Sequence, residues 1–373
     1  MNDDTLAKIA AAAGESGLDA IIAMSLENFA YLTGIFMPSH HSMRARQSML
    51  AVTPDGAAMA FALDTEAEAI AARLPDVPLT SWSEHTDNAM DTLAGILWDM
   101  SLSAARIGIE TDYLSASDLL ALGEALPKAE FVAGEQIFAT ARAIKTGREL
   151  ELLRRVSDLA ERSIEAALDV CHIATPEFQI AAAMTRAIYA NGAHGCAELA
   201  LASGPATAAC APAAPGSRAL APGDKCVLAL APQIDGYHAA IRRTVELPPS
   251  RDREGRDQRA LDATRVLASL IHPGASTAEI CRSYLKVVAP LAPPPKAALA
   301  HGIGLGLREG PVLTPARDVE LSQGMVLVFQ PWILNQEEAF ELRRTDMAAL
   351  TADGCELLTG IDEGTVSIAA LNR

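Results

Sequence analysis

Three side chains carry the clearest chemical potential in this sequence of 373 residues: His301, Arg242 and Arg308. His301 stands in the run His301-Gly-Ile-Gly304, where an imidazole with an ordinary pKa of about 6.5 can accept or return a proton near neutral pH. Arg242 falls in the segment Tyr237 to Val245, which reads as a strand whose alternation puts Ala240 and Arg242 on one face. A guanidinium that is partly desolvated holds a carboxylate or phosphate through bonds of about 1.5–3 kcal/mol each. Gln330 and Thr345 can hydrogen-bond a ligand or a fixed water but move no proton. Cys210 adjoins a stretch dense in Ala, Pro and Gly, from Ala211 to Pro222. A thiolate there, beside an arginine, would be a nucleophile, whereas a lone thiol in a reduced protein is more often inert. The segment Met37 to Gln47 contains His40, His41, Arg44 and Arg46, which suits either a lid bearing hydrogen-bond donors or a polar surface turn.

The elements that must position these groups are legible in the patterning. Residues 5–16 form an amphipathic helix, and Asp19 to Met24 is a short apolar run of buried-strand type. Met49 to Val52 and Ala58 to Leu63 flank the turn Thr53-Pro-Asp-Gly56, a hairpin, and Arg106 to Glu110 is another strand. This alternation predicts a small α/β domain over residues 1–137. A helix then runs to about Val170, with Thr146 as its cap and Glu149 as the capping-box partner, and opens a second domain over residues 138–373. Asp235-Gly236 makes a hairpin turn. Length alone favours two domains.

Composition narrows the classes of function. Thirty Lys and Arg against 47 Asp and Glu give a net charge of −17, which repels nucleic-acid backbones and anionic lipid. Aromatics are 4% of the chain, too few to suggest stacking platforms for single strands. Six cysteines without a C-x-x-C pair, an acidic N-terminus and the lack of a long apolar run predict a cytoplasmic protein with reduced thiols and no membrane span.

Seven short motifs, taken in order, resemble the creatinase / Xaa-Pro peptidase family of prolidase, aminopeptidase P and methionine aminopeptidase. They are Gly17-Leu-Asp-Ala with Tyr31-Leu-Thr-Gly34, Arg142-Ala-Ile-Lys145 with Glu149, Ser203-Gly-Pro205, Gly223-Asp224, Asp235-Gly-Tyr-His238 with Arg243-Thr244, His301-Gly-Ile-Gly304 with Glu309-Gly-Pro311, and Gly324-Met325 with Pro331. The resemblance spans the chain. It implies an N-terminal creatinase-like α/β domain followed by a C-terminal α+β domain of pita-bread fold. Peptidases of this family hold two divalent ions with two Asp, one His and two Glu. The matching positions here are Ala229, Ala240, His301, Gln330 and Thr345. One ligand of the five remains, so the expectation is no metal and no other cofactor.

Creatinase, within this family, works without metal, but its further His and Glu positions match Ala211, Arg242, Thr345 and Arg308 here, so its reaction does not transfer either. The pattern instead suggests a metal-independent hydrolase of a C–N bond in a small nitrogenous carboxylate. His301 would serve as acid and base, Arg242 and Arg308 would hold the anion, and Gln330, Thr345 and Cys210 would line the pocket. The resemblance also implies a homodimer, with Arg44 of one copy offered to the substrate of the other. Two alternatives stay open: a catalytically silent member that binds a ligand or protein, and an Xaa-Pro metallopeptidase, which the lost ligands disfavour. The arginines could equally pair with nearby acids such as Glu309 or Glu341.

Overall fold

The apolar run that begins after Asp19 becomes the buried central strand β1 (Ala20–Ala23) of a six-stranded sheet. In the computed structural model the described residues are 3–37, 39, 43, 46–208, 214–247, 253–287, 298–331, 333–334, 341–342 and 344–360. They form two compact units, 1–142 and 143–373. The dividing point lies at the end of the helix Glu135–Ala143, while the linker motif places it at 137/138.

In the first unit, β2 (Met49–Val52) and β3 (Ala58–Leu63) form the expected antiparallel hairpin, with β1 antiparallel to β2. The parallel strands β4 (Leu79–Trp82), β5 (Arg106–Ile109) and β6 (Glu130–Ala133) complete the order β4-β3-β2-β1-β5-β6. Helices α1 (Asp3–Glu15), α2 (Leu26–Thr33), α3 (Asp64–Arg73), α4 (Ala89–Asp99), α5 (Ala116–Ala125) and α6 (Glu135–Ala143) connect these strands. One core gathers β1, β2, β3 and β5 residues against Leu93, Leu97 and Leu122.

The second unit opens with α7 (Gly147–Leu168), whose apolar side chains recur at helical spacing. Leu152, Leu153, Val156, Leu159, Ala160 and Ile164 are all buried. Its start is a complete capping box. The Glu149 backbone N–H donates to the Thr146 hydroxyl, and the Thr146 N–H donates to the Glu149 carboxylate at 2.8 Å. Thr146→Ala is expected to lower stability by about 1 kcal/mol. A thermal melt checks this, and an unchanged midpoint would show that the cap adds nothing to α7.

Beyond α8 (Glu177–Ala190), two antiparallel sheets carry the rest of the unit. The first contains β7 (Gly195–Ser203), β8 (Asp224–Ile234), β9 (Tyr237–His238) and β10 (Ile241–Leu247), in the order β10-β8-β7 with β9 also on β8. The second contains β11 (Ala300–Gly302), β12 (Glu309–Leu313), β13 (Val326–Phe329), β16 (Asp346–Thr351) and β17 (Gly354–Leu357), in the order β12-β11-β13-β16-β17. A separate pair joins β14 (Ile333–Leu334) to β15 (Glu341–Leu342). Helices α9 (Arg253–Leu270) and α10 (Thr277–Val287) cover the second sheet, and Leu267, Ile280 and Tyr284 share a core with Leu299, Leu327 and Phe329.

The strand expected from Tyr237 to Val245 is broken at Ala239 and Ala240. The physical reason is Pro232 on β8, which has no N–H to offer the ladder there. Gln233 pairs with His238 and Leu230 with Ile241 in one continuous register, so Ala240 keeps its phase with Arg242 across the gap.

Candidate active site

Strand register assembles the site. Ala200 on β7 pairs with Ala229 on β8, and Ala229 pairs with Arg242 on β10. Beyond Arg242 the row crosses to the second sheet, because Arg242 and Thr345 exchange backbone bonds of 3.3 and 3.2 Å. Ala200, Ala229, Arg242 and Thr345 therefore stand side by side where the two sheets meet. On the same face as Ala200, two residues earlier along β7, is Glu198. The Arg242 guanidinium donates to its Oε1 at 3.4 Å.

The second sheet presents His301. On β11 it pairs with Val328 of β13, and the ladder to β12 slips by a bulge between His301 and Gly302. A bulge of this kind re-aims a side chain beside a site. Gly302 permits it, since a Cβ there would collide with the Gly310 carbonyl. His301 is 3% exposed, and its Nδ1 lies 2.8 Å from the Gly302 carbonyl oxygen. A carbonyl only accepts, so Nδ1 carries the proton and Nε2 holds the free lone pair of the neutral ring. Burial pulls the imidazole pKa below its ordinary value, and the positive charge of Arg308 lowers it further. The Gly302 bond and Glu309 act in the opposite direction.

Arg308 sits on a turn closed by Glu309, which accepts from the Gly306 backbone N–H at 2.8 Å and from the Lys145 ammonium at 3.1 Å. That buried ion pair commits Glu309 to Lys145, while Arg308 is exposed. Gly304 gives the Glu309 carboxylate its space, because a Cβ would lie 3.0 Å from one of its oxygens and press it aside. Gln330 follows β13, and its backbone N–H donates to the Leu299 carbonyl at 2.8 Å. Thr345 is buried, one residue before Asp346, which accepts from Arg243 at 2.8 Å, Arg344 at 2.6 Å and Thr359 at 3.0 Å.

The register thus brings Arg242 to Thr345 and Ala229, and the field of Arg308 reaches His301. Arg44 and Cys210 lie outside the described residues, as do His40 and His41. Glu198 is the residue that the sequence alone did not single out; it is a partner of Arg242. The signal that finds it is a cross-strand register, which no local pattern displays.

Residues 151–352 match the model of metallopeptidase family M24, and residues 6–144 match the Creatinase/Prolidase N-terminal domain. The chain belongs to metallopeptidase family M24. The family is one of peptidases and creatinase-type hydrolases. A creatinase from a Bacillus species is 25% identical over 378 residues, spanning 92% of this chain and 87% of that protein. Among solved structures, a dipeptidase of Pyrococcus horikoshii superposes with a TM-score of 0.83 at 24% identity, over 97% of this chain and 99% of the other. A prolidase of the same organism gives 0.82 at 20% identity, over 97% and 100%. The fold is that of this family: a creatinase-type N-terminal domain followed by a pita-bread domain.

M24 peptidases imply a pair of divalent ions, and the residues here can be tested against that demand. The five matching positions supply one imidazole, one amide, one hydroxyl and two methyl groups. Two adjacent dications need several carboxylates to balance their charge, so this donor set does not fit them. Among the described residues, no group of three or more His, Cys, Asp or Glu side chains is placed to hold a metal ion. Also among the described residues, no helix is long and apolar enough to cross a membrane.

Proposed function

We propose that this M24 chain is a metal-independent hydrolase that cleaves a C–N bond in a small anionic nitrogenous compound. The observation that carries this reading is the positive charge beside the former ligand positions. Where the family places carboxylates around cations, this chain places Arg242 against Ala229 and Thr345, and sets a neutral imidazole with an available Nε2 within the field of Arg308. An anion is the natural guest of such a site. In this reading Arg242 and Arg308 hold the substrate carboxylate and the oxyanion that develops at the attacked carbon. His301 Nε2 takes a proton from water as its oxygen bonds to that carbon. The same proton passes to the nitrogen as the C–N bond breaks, so one water is added across the bond. Gln330 and Thr345 supply neutral hydrogen bonds.

The test is ligand binding by purified protein. Small carboxylates bearing ureido, guanidino or cyclic-amidine groups are expected to raise the melting temperature, and Mn²⁺ or Co²⁺ is not. Arg242→Ala is expected to weaken carboxylate binding by about 1.5–3 kcal/mol, roughly 10- to 150-fold. Unchanged affinity in that variant, or strong stabilisation by either metal, would overturn the proposal. Tight binding without release of an amine product would reassign the chain as a binding protein on the same pocket.

A further inference from the structure

Two thiols that the mechanism does not use meet where the end of α7 packs on the start of β8. We infer that Cys171 and Cys226 form a site of reversible oxidation, closing a disulfide when a low-molecular-weight disulfide such as oxidised glutathione reaches the turn after α7. The inference is independent of the anion-binding reading of Arg242.

The first argument is placement. Cys226 is the third residue of β8, paired with Ser203 of β7 and Val245 of β10. Successive side chains of a strand alternate, so Cys226 points away from the face that carries Ala229. Cys171 lies three residues beyond the end of α7, where its backbone N–H donates to the Leu168 carbonyl at 3.2 Å. Both cysteines are fully buried, and their thiols are in hydrogen-bond contact. Two thiols that touch can bond after side-chain rotation, whereas a distant pair needs backbone movement. Cys196 and Cys355 differ, since each donates to a backbone carbonyl, that of Glu198 and that of Ala268.

The second argument is access. The contact with Cys171, together with burial, pushes the Cys226 thiol up, so it stays protonated and inert in the closed fold. The way in is the turn from His172 to Ala174, whose residues are exposed. Ala174 holds a φ of 71°, a left-handed backbone that a residue with a Cβ adopts only at a cost. The turn is closed by backbone bonds from His172 to the Val170 carbonyl at 3.0 Å and from Ala174 to the Leu220 carbonyl at 2.7 Å. Local opening of so short and strained a turn frees Cys171, while Cys226 stays fixed between two strand ladders.

The chemistry is a two-step exchange. The Cys171 thiolate attacks one sulfur of glutathione disulfide and releases one glutathione, which leaves a mixed disulfide on Cys171. As the turn closes, the Cys226 sulfur loses its proton, bonds to the Cys171 sulfur and expels the second glutathione. Two protein thiols are oxidised, one glutathione disulfide is reduced, and the two protons end on the two glutathiones. The product ties the end of α7 to β8.

Peptide mapping of the full-length protein tests this. The reduced protein is incubated with excess glutathione disulfide, quenched with acid and alkylated in denaturant. Cys171 and Cys226 are expected to vanish together from the alkylated set. They should reappear as one linked peptide pair, two hydrogens lighter than its separate halves, and dithiothreitol should restore both thiols. Cys226→Ser should stall the exchange with glutathione held on Cys171. In the unaltered protein, recovery of both residues as free thiols, linkage of either to another cysteine, or a mixed disulfide on Cys171 that never passes to Cys226 would overturn the assignment. That readout stands whether or not the serine variant folds.

Discussion

Replacing His301 with Asn is expected to lower kcat by about 10²- to 10⁴-fold, the usual contribution of a positioned general base. Asn keeps a polar group of similar size on β11 and removes only the titratable nitrogen. The expectation rests on the orientation of the ring, whose Nδ1 proton is committed to the Gly302 carbonyl and whose Nε2 is left to receive a proton. The pH dependence follows with a definite sign. Burial, aided by Arg308, disfavours the imidazolium, so the folded-state pKa is depressed below the ordinary value of about 6.5. The base is then already neutral at pH 7, and activity should fall only on an acid limb with an apparent pKa below about 6.5. By linkage, the unfolded chain binds this proton more readily than the folded one. The associated stability is therefore present above about pH 6.5 and is lost as pH falls through the depressed value. In His301→Asn the acid limb of kcat/KM should disappear along with most of the rate. A variant that keeps full kcat, with the limb unmoved, would show that His301 survives only as a hydrogen-bonded remnant of the ancestral ligand set.

How far the sequence reveals this site depends on which interactions are local. The capping box of Thr146 and Glu149 and the β2–β3 hairpin are decided by residues three to six apart, and the structure contains both. The matched positions Ala229, Ala240, Gln330 and Thr345 are likewise legible, because flanking motifs fix them in the chain. What escapes is set by pairing between distant strands. Pro232 interrupts the ladder opposite Ala239, and only the β8–β9–β10 register places it there. Glu198 becomes a partner of Arg242 because β8 pairs with β7 and β10 at once, in a register that runs unbroken from Glu198 to Ser203. Glu309 is claimed by Lys145, a residue from the linker motif more than a hundred positions earlier. Each of these outcomes is a competition among alternative partners that three-dimensional proximity decides.

Removing the Asp346 carboxylate, in Asp346→Ala, is expected to cost about 3–5 kcal/mol of stability in the C-terminal unit, the usual penalty for leaving buried charge uncompensated. Asp346 is fully buried and accepts from Arg243 at 2.8 Å, from Arg344 at 2.6 Å and from Thr359 at 3.0 Å. Both arginines are themselves buried, and burial alone pulls the Arg243 guanidinium toward deprotonation while Asp346 opposes that. Without the carboxylate, two buried guanidiniums face each other and lose the one acid that both of them contact among the described residues. The damage should reach the site, because Arg243 also donates to the Thr345 carbonyl at 2.8 Å, the same carbonyl that joins Thr345 to Arg242. The network is therefore the fastening between the sheet that carries Arg242 and the sheet that carries His301. Urea unfolding, followed by hydrogen exchange of the β13 and β16 amides, checks the size of the effect. A loss below about 1 kcal/mol would mean that water or neighbouring backbone carbonyls replace the carboxylate. The companion variant, in which Arg243 and Arg344 become Met together with Asp346→Ala, should recover much of the loss, since a buried ionic cluster exchanged whole for apolar side chains is often neutral. Ligand binding should not recover with it, because the Met side chain no longer holds the Thr345 carbonyl. Stability restored with binding still impaired would separate the two duties of this network: it neutralises its own charges, and it fixes the seam on which the site is built.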